Sequence, residues 1–213
     1  MHQIIHITLI ALAAFLVGSF PTAYVIVRRR RGKDLRNEGS GNIGTLNAYE
    51  VTRSRRIGIF VLLVDLFKGA LPVLLVSILF PDDFIGAGAA LCCVVLGHNY
   101  SPWIGWKGGR GLAPAAGATL AFNPLFLALW GLFWLAAFWK SRDVHFGNIA
   151  ATVLAPFVVL LVQPVFAATS FFPLPSYYSV SIVFFILSGL VFLKHLGPLQ
   201  QLIATNRQKN RDR

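Results

Sequence analysis

The sequence predicts an all-α polytopic membrane protein of about seven transmembrane or re-entrant helices, with its N-terminus outside and its C-terminus inside. Two facts of composition and one of pattern carry that prediction. Of 213 residues, 56% are hydrophobic and 13% charged, where a soluble domain carries roughly 25% charged residues. The apolar residues gather in runs long enough to cross a bilayer. The net charge of +11 sits in the breaks between those runs. Chains oriented by basic inner loops facing anionic lipid show the same pattern, so nucleic acid is not an expected partner.

The first run, about 4–27, lacks a basic leader and is closed by Arg28–Arg31, which marks an anchored helix rather than a cleaved signal. The break at 28–56 carries nine Lys and Arg residues, which places it inside and the N-terminus outside. Runs at about 57–80 and 84–103 follow, parted by Pro81-Asp82-Asp83, an outer turn without a cation. The stretch 112–139 is too long for one tilted span of about 20 residues. A single crossing would also strand Lys140 and Arg142 outside. Asn123-Pro124 interrupts it, so two short helices are expected, about 112–122 and 124–139. Runs at 147–168 and 177–193 complete the set, and every loop cation then lies inside. Cys92 and Cys93 are adjacent in an apolar run without a CxxC partner, and are expected to be core thiols with no metal or redox role. Residues 1–203 are expected to form one integral membrane domain and 204–213 a basic cytoplasmic tail.

Polar residues inside such runs need a reason. Asp65 and Lys68 lie three apart in "LLVDLFKGALP" and share a helix face. Their charges are costly in hydrocarbon unless paired or turned to a polar cavity, so they form a structural pair or brace a site. His98 ends the third run, and "WKGGRG" at 106–111 sets Gly108 and Gly109 between the cations Lys107 and Arg110. Accessible backbone N–H groups beside positive charge suit a phosphate oxyanion. "NEGSGNIGTLN" at 37–47 has the same chemistry, with Ser40, Gly41 and Asn42 offering hydroxyl, backbone and amide donors. Two such loops on one side of a small membrane domain predict a site for a phosphorylated metabolite at the inner surface.

These elements, in this order, resemble the bacterial acyl-phosphate:glycerol-3-phosphate acyltransferase family. The matching pieces are Gly18-Ser19, "DLRNEGSGNIGTLN" at 34–47, "DLFKG" at 65–69 and "LGHNYSPWIGWKGGRGLA" at 96–113. The resemblance implies a seven-helix membrane fold in the bacterial inner membrane, with its site facing the cytoplasm. It implies acyl phosphate as donor, glycerol 3-phosphate as acceptor and lysophosphatidic acid as product, without metal, cofactor or acyl-CoA. A soluble enzyme that makes acyl phosphate would be the partner. Ser40, Gly41 and Asn42 would match one phosphate-binding loop, and Lys107, Gly108, Gly109 and Arg110 the other. His98 and Asn47 would line the pocket, with Asp65 and Lys68 supporting it. The family commonly offers a serine where spacing in "KSRDVHFGNIAA" puts His145, which makes His98, Arg110 and His145 the candidate catalytic residues.

The chain departs from the family pattern at several places. The family's G-x-T-N-x-x-R becomes Gly44-Thr45-Leu46-Asn47-Ala48-Tyr49-Glu50, with an anion in place of a cation. Its KGGKG becomes KGGRG, where a planar fork replaces a point charge, and a following Thr becomes Pro114. Its basic C-terminal element is reduced to Lys194-His195. The leading reading is therefore an active acyltransferase. The alternatives are a paralogue with a changed acceptor, or a non-catalytic protein that binds lipid phosphate or a partner enzyme. A transporter ranks last, because no repeated half is evident.

Overall fold

The computed structural model describes residues 1–211, and among these there are helices but no strands. The helices are α1 (His2–Ser19), α2 (Thr22–Arg31), α3 (Thr45–Thr52), α4 (Arg55–Leu79), α5 (Phe84–Asn99) and α6 (Leu112–Phe122). They continue with α7 (Pro124–Ser141), α8 (Val144–Leu161), α9 (Gln163–Ala168), α10 (Ser179–Leu193) and α11 (Leu196–Arg211). Five stretches are long and apolar enough to cross a membrane: 2–31, 55–79, 84–104, 124–141 and 144–161. The start of α11, bent 57° from α10, makes a sixth with it. The seventh apolar segment, α6, has 11 residues; it rises only about 16 Å, half of a hydrocarbon layer about 30 Å thick.

The membrane reading is visible residue by residue on α4. Gly58, Val61, Asp65, Lys68, Gly69, Pro72, Val73 and Val76 face inward, while Ile59, Phe60, Leu63, Phe67, Leu75 and Ile78 are exposed. A soluble helix hides its large apolar side chains; this one hides its small and charged ones, as lipid requires. Helices cross where glycine lets backbones touch. Gly18 of α1 and Gly97 of α5 each meet the other helix's main chain, and Gly69 of α4 and Gly117 of α6 repeat the device. An aromatic cluster of Phe84, Phe122, Phe126, Phe172 and Phe184 fills the far end.

Two runs expected to be continuous are divided. Residues 4–27 split at Pro21, which lacks an N–H and drives Phe20 out of the helical region. The carbonyls freed there find donors elsewhere: Ser101 Oγ donates to Ser19 O at 2.6 Å, and Lys68 Nζ to Phe20 O at 2.8 Å. Residues 147–168 split ahead of Pro164 into α8 and α9. The α8 N-terminus also lies three residues earlier than expected, because Asp143 caps it by accepting from Phe146 N at 2.9 Å. The break at Asn123-Pro124 falls where expected; the buried Asn123 amide holds the turn by donating to Phe166 O at 3.1 Å. Helix α11 runs without a break across 203–204, and the last two tail residues, Asp212 and Arg213, lie outside the described residues.

Candidate active site

The first glycine loop, 32–44, is pinned at both ends. Leu35 and Ile43 are buried with Ala23, Val27, Ala48, Val61 and Ile104. Arg36 grips Asp34 through its Nε and Nη2, the latter at 2.6 Å, and lies over the Tyr24 ring. That hydrogen-bonded guanidinium holds the Asp34 carboxyl down to about 2. Asn47, fully buried on α3, ties the loop together. Its Oδ1 accepts from Ser40 N at 3.0 Å, and its Nδ2 donates to Asn42 O at 2.9 Å, Glu38 O at 3.1 Å and Leu35 O at 3.4 Å.

That network changes which groups are free to bind an anion. The Ser40 N–H is spent on Asn47 and the Gly41 N–H on Glu38 O, while Ser40 itself is exposed and off the cleft lining. What faces inward is the next turn: Asn42, Gly44 and Thr45 line a cleft of about 450 Å³. Helix α3 starts there at Gly44, with no side chain capping its N–H groups and with Thr45 Oγ1 buried and unpartnered. A helix start in this state favours an anion.

The second loop closes the cleft from the other side. Gly108 lies flat on the His98–Asn99 backbone, and Gly109 is wedged between the His98 ring and the Ile43 carbonyl, so a side chain at either would prise the loops apart. Gly111, at φ +82°, starts α6 with a second uncapped N-terminus, and Gly111, Leu112 and Ala113 line the cleft. Arg110 joins them, its Nη1 donating to His145 Nδ1 at 3.2 Å. Because an arginine only donates, the neutral His145 ring carries its proton on Nε2. Burial lowers the Arg110 pKa and the Glu50 carboxylate nearby opposes that, so the guanidinium keeps its charge.

Below, Asp65 lines the cleft and is paired with Lys68 at 2.8 Å, both side chains almost fully buried. Lys68 points away, toward the break at Pro21. His98 lines the cleft, and its ring has no hydrogen-bond partner among the described residues.

Both loops and the helices that carry them fall within one family model. The description of that model is Glycerol-3-phosphate acyltransferase, and it matches residues 8–205. A glycerol-3-phosphate acyltransferase of Syntrophotalea carbinolica is 35% identical over 94% of either chain. Glycerol-3-phosphate acyltransferase 2 of Moorella thermoacetica is 43% identical over 69% of this chain and 74% of its own. The crystal structure of PlsY (YgiH), an integral membrane glycerol 3-phosphate acyltransferase in its glycerol 3-phosphate form, aligns with a TM-score of 0.78. It is 28% identical and covers 93% of this chain and 92% of its own. The chain belongs to the glycerol-3-phosphate acyltransferase family.

In this family member the structure gathers Asn42, Asp65, His98, Arg110 and His145 on one cleft and leaves other expected residues off it. Asn47, Gly108 and Gly109 shape the loops; Ser40, Gly41 and the exposed Lys107 lie outside the lining, and Lys68 braces the helix break. Pro114 is off the lining too: it stands in the first turn of α6, where no N–H is needed, with its backbone against Gly69.

Four lining residues of the acyltransferase that carry a polar side-chain group escaped the sequence reading as site residues: Thr45, Trp130, Trp134 and Asn148. Trp134 Nε1 donates to Asn148 Oδ1 at 2.8 Å and Trp130 Nε1 to Thr152 Oγ1 at 3.1 Å, rungs that join α7 to α8. The signal was there as matched four-residue spacings, Trp130/Trp134 and Asn148/Thr152, in consecutive helices. An apolar recess among Ala115, Thr119, Phe126, Leu127, Trp130 and Leu187 adjoins the cleft.

Proposed function

We propose that this protein transfers an acyl group from acyl phosphate to glycerol 3-phosphate, giving lysophosphatidic acid for phospholipid synthesis. The observation that carries the reading is the convergence of two uncapped helix N-termini, the unpartnered Thr45 hydroxyl and Arg110 on one cleft. Both substrates are phosphate anions, and such a cleft has donors in place for them before they arrive. The apolar recess beside it takes the start of the acyl chain.

In the reaction, the acceptor hydroxyl oxygen attacks the acyl carbonyl carbon and forms the ester bond. The bond from that carbon to the phosphate oxygen breaks, and the hydroxyl proton leaves on the departing phosphate. Arg110 and the backbone N–H groups of α3 and α6 offset the charge that gathers on phosphate. With its Nδ1 occupied by Arg110, His145 acts as a hydrogen-bond donor through Nε2, not as a base. No metal, cofactor or acyl-CoA takes part in this scheme.

The charge pattern supports a multi-pass protein of the bacterial inner membrane, with its N-terminus outside, its C-terminus inside and the cleft facing the cytoplasm. There a soluble acyl-phosphate-producing enzyme delivers the donor. Residues 1–203 form the acyltransferase domain and 204–213 a basic cytoplasmic extension of it. A second reading, a changed acceptor, rests on Glu50, whose negative charge acts on Arg110 and competes with substrate phosphate.

The test is product formation by the purified protein in lipid, with acyl phosphate and labelled glycerol 3-phosphate, and acyl-CoA as control donor. Lysophosphatidic acid from acyl phosphate alone is the expected result. Product only from other hydroxyl acceptors would establish the second reading, and no product from any would leave a binding protein.

A further inference from the structure

A second basic concavity lies away from the active-site cleft and shares none of its lining residues. It measures about 540 Å³ between α2 and α4 and is lined by Ile26, Arg30, Arg31, Ser54, Arg56, Ile57 and Phe60. Among the described residues no carboxylate lines it. Lys33 and Arg36 on the same loop side are paired with Glu38 and Asp34, while most of its other arginines are unpaired. The arrangement of Arg30, Arg31 and Arg56 around one concavity, not their lack of a partner, therefore sets them apart. Among the described residues, Arg30, Arg31 and Arg56 have no ion-pair partner.

The order of residues along the two helices adds a direction. On α2, Ile26 precedes Arg30 by one turn; on the antiparallel α4, Arg56 precedes Phe60 by one turn. Each helix thus presents an apolar side chain and, about 6 Å further along its axis, a guanidinium. Both guanidiniums are at the same end. Ser54, the N-cap of α4, closes that end, its Oγ accepting from Ile57 N and its hydroxyl proton uncommitted. Phe60 is half exposed on the lipid-facing side.

We propose that this concavity binds an anionic phospholipid of the surrounding leaflet, its phosphate among Arg30, Arg31, Arg56 and Ser54 and its upper acyl chain along Ile26, Ile57 and Phe60. Forked arginines fit phosphate oxygens, and basic pockets between membrane helices hold anionic headgroups. A zwitterionic lipid offers the same phosphate but brings a cation into a site that already holds three. A free phosphate would leave the apolar wall unused.

The full chain in detergent is titrated with phosphatidylglycerol, phosphatidylcholine or inorganic phosphate, and thermal unfolding is read. Phosphatidylglycerol is expected to raise the midpoint well beyond the other two. Arg30→Gln/Arg31→Gln/Arg56→Gln is expected to weaken that apparent affinity about 100-fold, at roughly fivefold per arginine. The charge-matched control Arg29→Gln/Arg53→Gln/Arg55→Gln is expected to retain it, and both variants to keep acyl transfer within about twofold, since none of these arginines lines the active-site cleft. Should the triple variant not fold, Arg56→Gln alone, about fivefold weaker, reads the same question. Equal losses in both triples would mean diffuse attraction to a basic surface and overturn the site, as would no loss in either. A matching shift with inorganic phosphate would overturn the lipid.

Discussion

Arg110 and Thr45 touch the same cleft from different helices, and each has a role that a single substitution isolates. Arg110→Ala removes the guanidinium that lines the cleft and the donor to His145 Nδ1; the expected loss is about 100-fold or more in kcat/KM. Arg110→Lys keeps the charge but not the fork and should fall between. Thr45→Val is expected to raise the glycerol 3-phosphate KM severalfold, because its hydroxyl is buried with no protein partner. Ser40→Ala should change kinetics less than about threefold, since Ser40 contributes its backbone N–H to Asn47 and not to the cleft. A large Ser40→Ala effect beside a silent Thr45→Val would move the anion site back to the loop apex. Asn47→Ala strips four hydrogen bonds from a buried amide and is expected to cost on the order of 3 kcal/mol, seen as early proteolysis of 32–44. The Asp34 ion pair sets an acid limit for this loop. Its carboxyl titrates near 2 rather than 3.8, so the pair stabilises the loop above about pH 4 and is lost as pH falls toward 2. An Arg36→Ala variant should lack this acid-dependent loss and be loosened already at neutral pH, as read by loop proteolysis from neutral pH downward, with an acid-active protease at the low end.

Elements show which parts of the design the sequence announced. Most of the spans, the Pro-Asp-Asp turn between α4 and α5 and the break at Asn123-Pro124 were legible because hydropathy and proline act locally. The two glycine loops were legible as a pair, since clustered glycines amid cations have few purely structural uses. The engagement of one donor was not legible: a buried Asn47 seven residues on takes the Ser40 N–H, and no local pattern reports that pairing. The splits at Pro21 and Pro164 went unread because the chain stays mostly apolar on both sides of each proline. Close helix crossings were equally hidden: one glycine among many says nothing until its partner backbone is placed. Gly117 is the sharpest case, with the Leu66 carbonyl where a side chain would go. Gly117→Val should cost about 3 kcal/mol through separation of α4 and α6, whereas Gly131→Ala, with open space around it, should leave the melting temperature unchanged. Both are read by thermal unfolding in detergent. Trp134→Phe, which removes the donor to Asn148, is expected to loosen the α7–α8 wall and broaden acyl-chain acceptance more than it lowers stability.

For the whole molecule, the question is which way it sits in the bilayer, and the charge distribution makes a definite prediction. Nine of the 19 Lys and Arg residues lie in 28–56, around the first glycine loop, and the second loop adds Lys107 and Arg110. The opposite end, at the α4–α5 turn, presents Asp82 and Asp83, with His6 within 3.1 Å of Asp83. Moving the basic end across the membrane would work against both the insertion bias and the membrane potential, at about 2.3 kcal/mol per charge per 100 mV. Inward, the same charges meet anionic lipid and a phosphorylated substrate pool, so one asymmetry serves both insertion and substrate capture. In a background of Cys92→Ser and Cys93→Ser, a membrane-impermeant thiol reagent added to intact cells should label Asp82→Cys and leave Gln208→Cys untouched until the cells are opened. Labelling of Gln208→Cys in intact cells would invert the topology and put the cleft on the side away from the enzyme proposed to supply acyl phosphate. The cleft geometry would stand, but the proposed reaction would lose its donor.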